Sequence, residues 1–327
     1  MLYKLVIFLT LCSISEHMIA QEEFTHYYLK MNGSDIENFD IELGMVDYDD
    51  AYNPKQRNFE HITTLTQLND TICESMGKDN TSEQLNVIIH GIWGDNTFAW
   101  KEMIKNLSRD VYSTEDGNKK VLLSIIWDSS INYLTGVKIA RKKGDFLGPF
   151  LNELVSSQSE ETKISFLCHS MGNRMFQHMM LSSGLIESKE HVIDHYIAAG
   201  ADVESEVFGE GKTLENLNKV ISDVTIYVHN NDRSLKMSKL INKNKRLGLN
   251  GLDPYKMPEN FSIIDVSAIT DHLNFTSSMS NHRYFYMSPT VIKDIKRIVW
   301  EKDYVTQKKK LDHPRRLKLM PEDDSIK

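Results

Sequence analysis

From Leu85 onward, short apolar runs rich in β-branched residues alternate with longer stretches in which apolar residues recur every three or four positions. The first pattern suits strands buried on both faces and the second suits amphipathic helices. Their alternation predicts a parallel sheet whose strands are joined by crossover helices. The strand candidates are residues 86–90 (NVIIH), 121–127 (VLLSIIW), 164–168 (ISFLC), 195–199 (HYIAA), 224–229 (VTIYVH) and 261–266 (FSIIDV). Helical spacing marks 97–108, 147–156, 173–182, a stretch around 214–220, and a last helix that starts near Pro289 and ends near Tyr304; proline is suited to a first turn.

Outside this region the pattern is weaker. Residues 24–31 read as a strand and 62–76 as a helix, with an acidic loop between them. At the start, Lys4 precedes the apolar run 5–11, polar residues follow, and Ala20 stands before Gln21. This reads as a secretory signal peptide and hence an exported, periplasmic or secreted protein. The run is far shorter than the roughly 20 residues of a spanning helix, so no stable membrane span is expected. The predicted organisation is a signal peptide over 1–20, an N-terminal elaboration over 21–84, a catalytic α/β domain over 85–305 and a charged, flexible tail over 306–327.

Composition narrows the function. A chain of 327 residues with 40% hydrophobic content can bury one large core. A formal net charge of -8 argues against nucleic acid as a partner, because phosphate recognition needs a basic face. After export only Cys73 and Cys168 remain, too few for a disulfide framework.

The chemistry concentrates at residues 164–172, ISFLCHSMG, where a buried strand runs into Ser170 and then into a helix-like stretch. A serine on a tight strand-to-helix turn exposes its hydroxyl above the sheet and aims the next backbone N–H, that of Met171, at a developing oxyanion. Gly172 keeps the turn compact, while Cys168 stands where glycine is usual. By itself Ser170 reads better as the cap of the following helix. An earlier strand, however, ends in His90-Gly91-Ile92-Trp93-Gly94, an HGxxG turn whose Ile92 amide is the candidate second oxyanion donor. His90 and His169 read as supports of these turns.

A serine nucleophile needs a histidine base, oriented by a carboxylate. Asp232, just after the strand at 224–229, is the preferred acid, and Asp202 after the preceding strand is the alternative. His282, just before the last helix, is the preferred base, with His272 as the alternative. In this Ser, Asp, His order the chain resembles the α/β-hydrolases, and more narrowly an uncharacterised esterase/lipase-like family with an HSMGNR elbow. The likeness covers about 85–300, including HSMGNR at 169–174, AAGADVESEVF at 198–208, YVHNNDRSLKMS at 227–238 and IIDVS at 263–267. Members often carry a GH pair where this chain has Asn281-His282.

The resemblance implies the α/β-hydrolase fold, a mostly parallel sheet flanked by helices on both faces, with Ser170 as nucleophile, Asp232 as acid and His282 as base. The expected reaction is hydrolysis of an ester or related acyl bond in a small-molecule or lipid-like substrate, with no metal or organic cofactor required. Thioester or peptide cleavage on the same machinery, and a secreted binding protein with a decayed site, are the rival readings. Two basic segments are candidates to cover the site and select charge: 129–149, with Tyr133, Lys138, Arg141, Lys142 and Lys143, and 233–246. Solvated helix faces explain that charge equally well. Trp93 is a candidate wall of the acyl pocket or a core filler.

Overall fold

The computed structural model describes residues 24–321 apart from 34, 36–37, 77–83, 93–96, 114–119, 131, 189–191, 210, 213, 272–280 and 301–306. The signal-like start, Trp93 and His272 lie outside the described residues. The central apolar runs form the strands expected of them: β4 (Gln84–Ile89), β5 (Lys120–Trp127), β6 (Lys163–His169), β7 (Ile193–Ala199), β8 (Ile221–Val228) and β9 (Phe261–Asp265). All pair in parallel with their sheet neighbours. Side chains alternate between two cores. Leu85, Val87 and Ile89 of β4 enter one, with α1 (Leu65–Met76), α3 (Tyr133–Ser156) and α4 (Gly172–Ser183). Ile88 enters the other, with α2 (Thr97–Leu107), α8 (Tyr284–Met287) and α9 (Pro289–Trp300).

Three segments depart from the sequence expectation. The region between 32 and 62 is no acidic loop: after β1 (Thr25–Asn32) it forms β2 (Asp40–Tyr48) and β3 (Pro54–Asn58), an antiparallel extension of the same sheet. Leu43 enters the first core and Val46 the second, while Asp40 and Asp47 stay exposed. The stretch near 214–220 has only a short 3₁₀ turn, Leu217–Lys219. Helix α3 starts 14 residues before the predicted 147 and runs through Pro149. Asn132 caps it by accepting from the Thr135 amide at 3.2 Å, and burial of Val137, Ala140, Leu147 and Leu151 outweighs an interior proline penalty of about 3 kcal/mol. Most of the basic segment 129–149 is thus the first half of a packed helix. Lys143 is buried and donates to the Met31 and Gly33 carbonyls, both at 2.8 Å, so it ties down the end of β1 instead of selecting substrate charge.

The segment expected to be a flexible tail also joins the sheet. β10 (Lys308–Lys310) pairs antiparallel with β11 (Arg316–Leu319), and β11 pairs parallel with β9. The strand order is β10-β11-β9-β8-β7-β6-β4-β5-β1-β2-β3. Leu319 is fully buried, and the Lys308 ammonium sits 2.6 Å from the fully buried Asp294 carboxylate. Polarity misled the reading because these lysines and arginines serve a sheet edge and one buried acid.

β4 and β6 are neighbours, yet α2 after β4 and α4 after β6 lie on opposite faces. A crevice therefore opens where the two strands end, the place at which open α/β sheets bind ligands. Asp294 also accepts from the Tyr227 hydroxyl at 2.7 Å and faces Arg297 at 3.4 Å. Replacing Lys308 with methionine removes its closest cation and is expected to cost about 3 kcal/mol in urea unfolding. A loss near zero would show that the terminal strand pair does not depend on this contact.

Candidate active site

β6 delivers Ser170 to the crevice with φ at +52°, in the left-handed region. The turn is held by its own backbone: the Ser170 amide donates to Ala199 O at 3.0 Å, and Ser170 O accepts from the Asp202 amide at 3.0 Å and the Asn173 side chain at 3.1 Å. Asn173 also donates to Cys168 O at 2.9 Å, and the Tyr196 hydroxyl fixes its other end at 2.7 Å. Two glycines make the room. A Cβ at Gly172 would stand 2.5 Å from the His90 and Ile89 carbonyls, and one at Gly91 would stand 2.6 Å from Ser170 Cβ. Cys168, fully buried, fits where glycine is usual.

Asp232 follows β8 and caps α6 (Arg233–Asn242): its Oδ1 accepts from the Leu235 amide at 2.9 Å. Its Oδ2 lies 2.5 Å from His282 Nδ1, and His282 Nε2 lies 2.8 Å from Ser170 Oγ. A carboxylate only accepts, so the proton sits on Nδ1 and leaves Nε2 to accept from the serine. Burial disfavours the His282 cation, but the charge and hydrogen bond of Asp232 outweigh it, with a smaller contribution from Asp202, so the pKa is raised above 6.5.

Asp202, the alternative acid, does not touch His282. It accepts from the Tyr133 hydroxyl at 2.8 Å and the Ser238 hydroxyl at 2.5 Å, with Arg246 3.6 Å away. It joins α3 to α6.

The HG turn has a specific build. The Trp127 amide donates to His90 Nε2 at 3.0 Å, which places the His90 proton on Nδ1, 2.6 Å from Gly91 O. That carbonyl and the Ile92 N–H belong to one planar trans peptide and point oppositely. Drawing the carbonyl inward therefore turns the Ile92 amide outward. Neither the Ile92 nor the Met171 amide has a hydrogen-bond partner among the described residues. Their side chains meet at Gly136, where a Cβ would lie 3.0 Å from Ile92 Cδ1 and 3.5 Å from Met171 Sδ.

His169, read from the sequence as a support, donates from Nε2 to His282 O at 2.9 Å and stacks on Phe285 at 4.4 Å. Burial and the neighbouring His282 hold its pKa well below 6.5, so it stays neutral. Gly200 and Tyr284 escaped sequence reasoning. Gly200, at φ +50°, leaves space for the His282 ring: a Cβ there would be 3.3 Å from Nδ1. Tyr284 accepts from the Gly200 amide at 2.8 Å. Only the glycine after the β7 run offered a signal. Asn281 donates to Asn231 O at 3.3 Å, tying the loop of His282 to that of Asp232 with a bond glycine cannot make.

The family described as "Alpha/beta hydrolase of unknown function (DUF900)" matches residues 66–299. The chain belongs to this α/β-hydrolase family. No curated protein and no solved structure matches it. The family match spans every residue of the Ser170, Asp232 and His282 cluster and both turns beside it, but stops before β10 and β11. Members of a hydrolase family with an undefined substrate share a scaffold, so the reaction must be argued from the site.

In an NMR titration, the His282 ring should protonate with a midpoint above 6.5. In Asp232→Asn the midpoint should fall below 6.5, because burial remains while the compensating charge is gone. His169 should stay neutral throughout. An unchanged His282 midpoint in Asp232→Asn would refute the electrostatic account.

Proposed function

We propose that this protein is a serine hydrolase that cleaves an ester or related acyl bond through an acyl-enzyme formed on Ser170. The observation that carries this reading is the unbroken hydrogen-bond chain from Asp232 through His282 to a serine held in a left-handed strand-to-helix turn. Position, tautomer and backbone strain agree on one role for each group.

His282 Nε2 takes the hydroxyl proton as Ser170 Oγ attacks the acyl carbon, and Asp232 stabilises the imidazolium that results. The Ile92 and Met171 amides receive the negative charge on the carbonyl oxygen, a contribution that backbone donors make without reorganising. The protonated His282 then passes its proton to the leaving oxygen. Water, activated by the same ring, attacks the acyl-serine, and the acid leaves with Ser170 restored. The rise in the His282 pKa suits this cycle, since the ring must hold a proton between the two halves of each step. The short apolar run after Lys4 supports export, and with it an extracytoplasmic substrate.

Fluorophosphonate labelling tests the reading directly. The wild-type protein should label, and Ser170→Ala should not. His282→Ala should label more slowly by several orders of magnitude, up to about 10⁶. Hydrolysis of short-chain ester probes should rise with pH through a midpoint above 6.5, because the neutral ring is the base. Wild-type-like labelling of Ser170→Ala would overturn the assignment.

A further inference from the structure

A helix on a protein surface ordinarily turns its apolar stripe inward. Helix α6 does the reverse. Leu235 and the polar Ser238 are its buried residues, and Asn242 is half-buried. Met237, Leu240 and Ile241 point outward with exposures of 59%, 73% and 42%. At 100° per residue Met237 and Leu240 form the crest of the outer face, with Arg233 between them and Lys236 beside them.

The fold does not require these apolar residues there. Polar contacts hold the helix: the Asp232 cap, Ser238 on Asp202, and the Asn242 amide donating to the Tyr133 hydroxyl at 2.8 Å.

The charges on the helix itself share one sign, while in the loop after it Asn244 donates to the exposed Glu204 carboxylate at 3.1 Å. Arg233, Lys236, Lys239, Lys243 and Lys245 are exposed, and none has a carboxylate partner among the described residues. Lys236 donates only to Asn231. This concentration stands out in a chain with a formal net charge of -8. An outward apolar crest flanked by lysines is what an interfacial helix presents to an anionic bilayer: the apolar side chains enter the boundary between headgroups and acyl chains, and the ammonium groups meet the phosphates. A second copy of the chain fits less well, because a symmetric contact through this face would bring the lysines of both copies together.

We propose that α6 and the loop after it dock the protein on an anionic lipid bilayer. β8 runs parallel to β6, so the start of α6 lies at the same edge of the sheet as Ser170. Docking there turns that edge toward the lipid. The inference does not depend on Ser170 being a nucleophile.

The test is co-sedimentation of the full chain, in a Ser170→Ala background to prevent lipid turnover. The vesicles are phosphatidylcholine alone, or phosphatidylcholine mixed equally with phosphatidylglycerol. Binding should require the anionic lipid and weaken with salt. Met237→Ser with Leu240→Ser should reduce it about tenfold or more, and Lys236→Gln with Lys239→Gln by a similar factor, since each basic residue near an anionic surface is worth roughly fivefold in affinity. All these positions are exposed, and circular dichroism checks that the fold is retained. The apolar start is common to every variant, so the differences report on α6. Three results would each overturn the proposal: no partition onto anionic vesicles, equal binding to both compositions, or unchanged binding by both double variants. Concentration-dependent dimers abolished by Met237→Ser with Leu240→Ser would assign the face to a second copy instead.

Discussion

Ser170 is held at φ +52°, a conformation that costs an L residue about 1–2 kcal/mol, and the polypeptide around it is arranged to keep it there. Its amide and carbonyl are both occupied by neighbours from β7 and from the loop that follows it. Gly172 lets α4 start against the end of β4, and Gly91 keeps the HG turn clear of the serine side chain. Were the turn to relax, Oγ would leave His282 and the Met171 amide would lose its heading. The close approach of β4 and β6 is therefore the constraint on which the rest of the crevice depends.

Around that turn the protons are placed by what each partner can accept. Asp232 fixes the His282 proton on Nδ1, the Trp127 amide fixes the His90 proton on Nδ1, and the His282 carbonyl fixes the His169 proton on Nε2. A second serine–histidine pair shows why partners matter. His26 Nε2 lies 2.8 Å from the Ser124 hydroxyl, but its other nitrogen meets the Tyr48 hydroxyl and no carboxylate. Burial drives its pKa down to about 3, and both residues are sealed in the core. The pair holds strands together and has no means of keeping a proton.

The central strands were legible because burial on both faces leaves a nearly unbroken apolar run, as in VLLSIIW of β5. The cluster itself was legible because Ser170, Asp232 and His282 each follow such a strand in the order the fold presents them. The edges were not. β2, β3, β10 and β11 have polar sequences because one side of each meets water, and their pairing is decided by distant neighbours. The first part of α3 was missed because its basic residues and glycines read as a polar connection, whereas the burial that orders it is not visible in sequence. Gly200 and Tyr284 act by leaving space and by holding a backbone amide, and neither role produces a motif.

Asp232 divides its two oxygens between the first turn of α6 and the ring of His282. The position thus answers to two separate selections, one for a stable helix start and one for an oriented histidine. Where the contact with the histidine was not kept, the first would persist: position 232 would favour Asp, Asn, Ser, Thr or Gly, the residues that cap helices. No such anchor restrains His282. An aspartate at this position is therefore weak testimony to a working site in any descendant, and the histidine is the residue whose loss would record its decay.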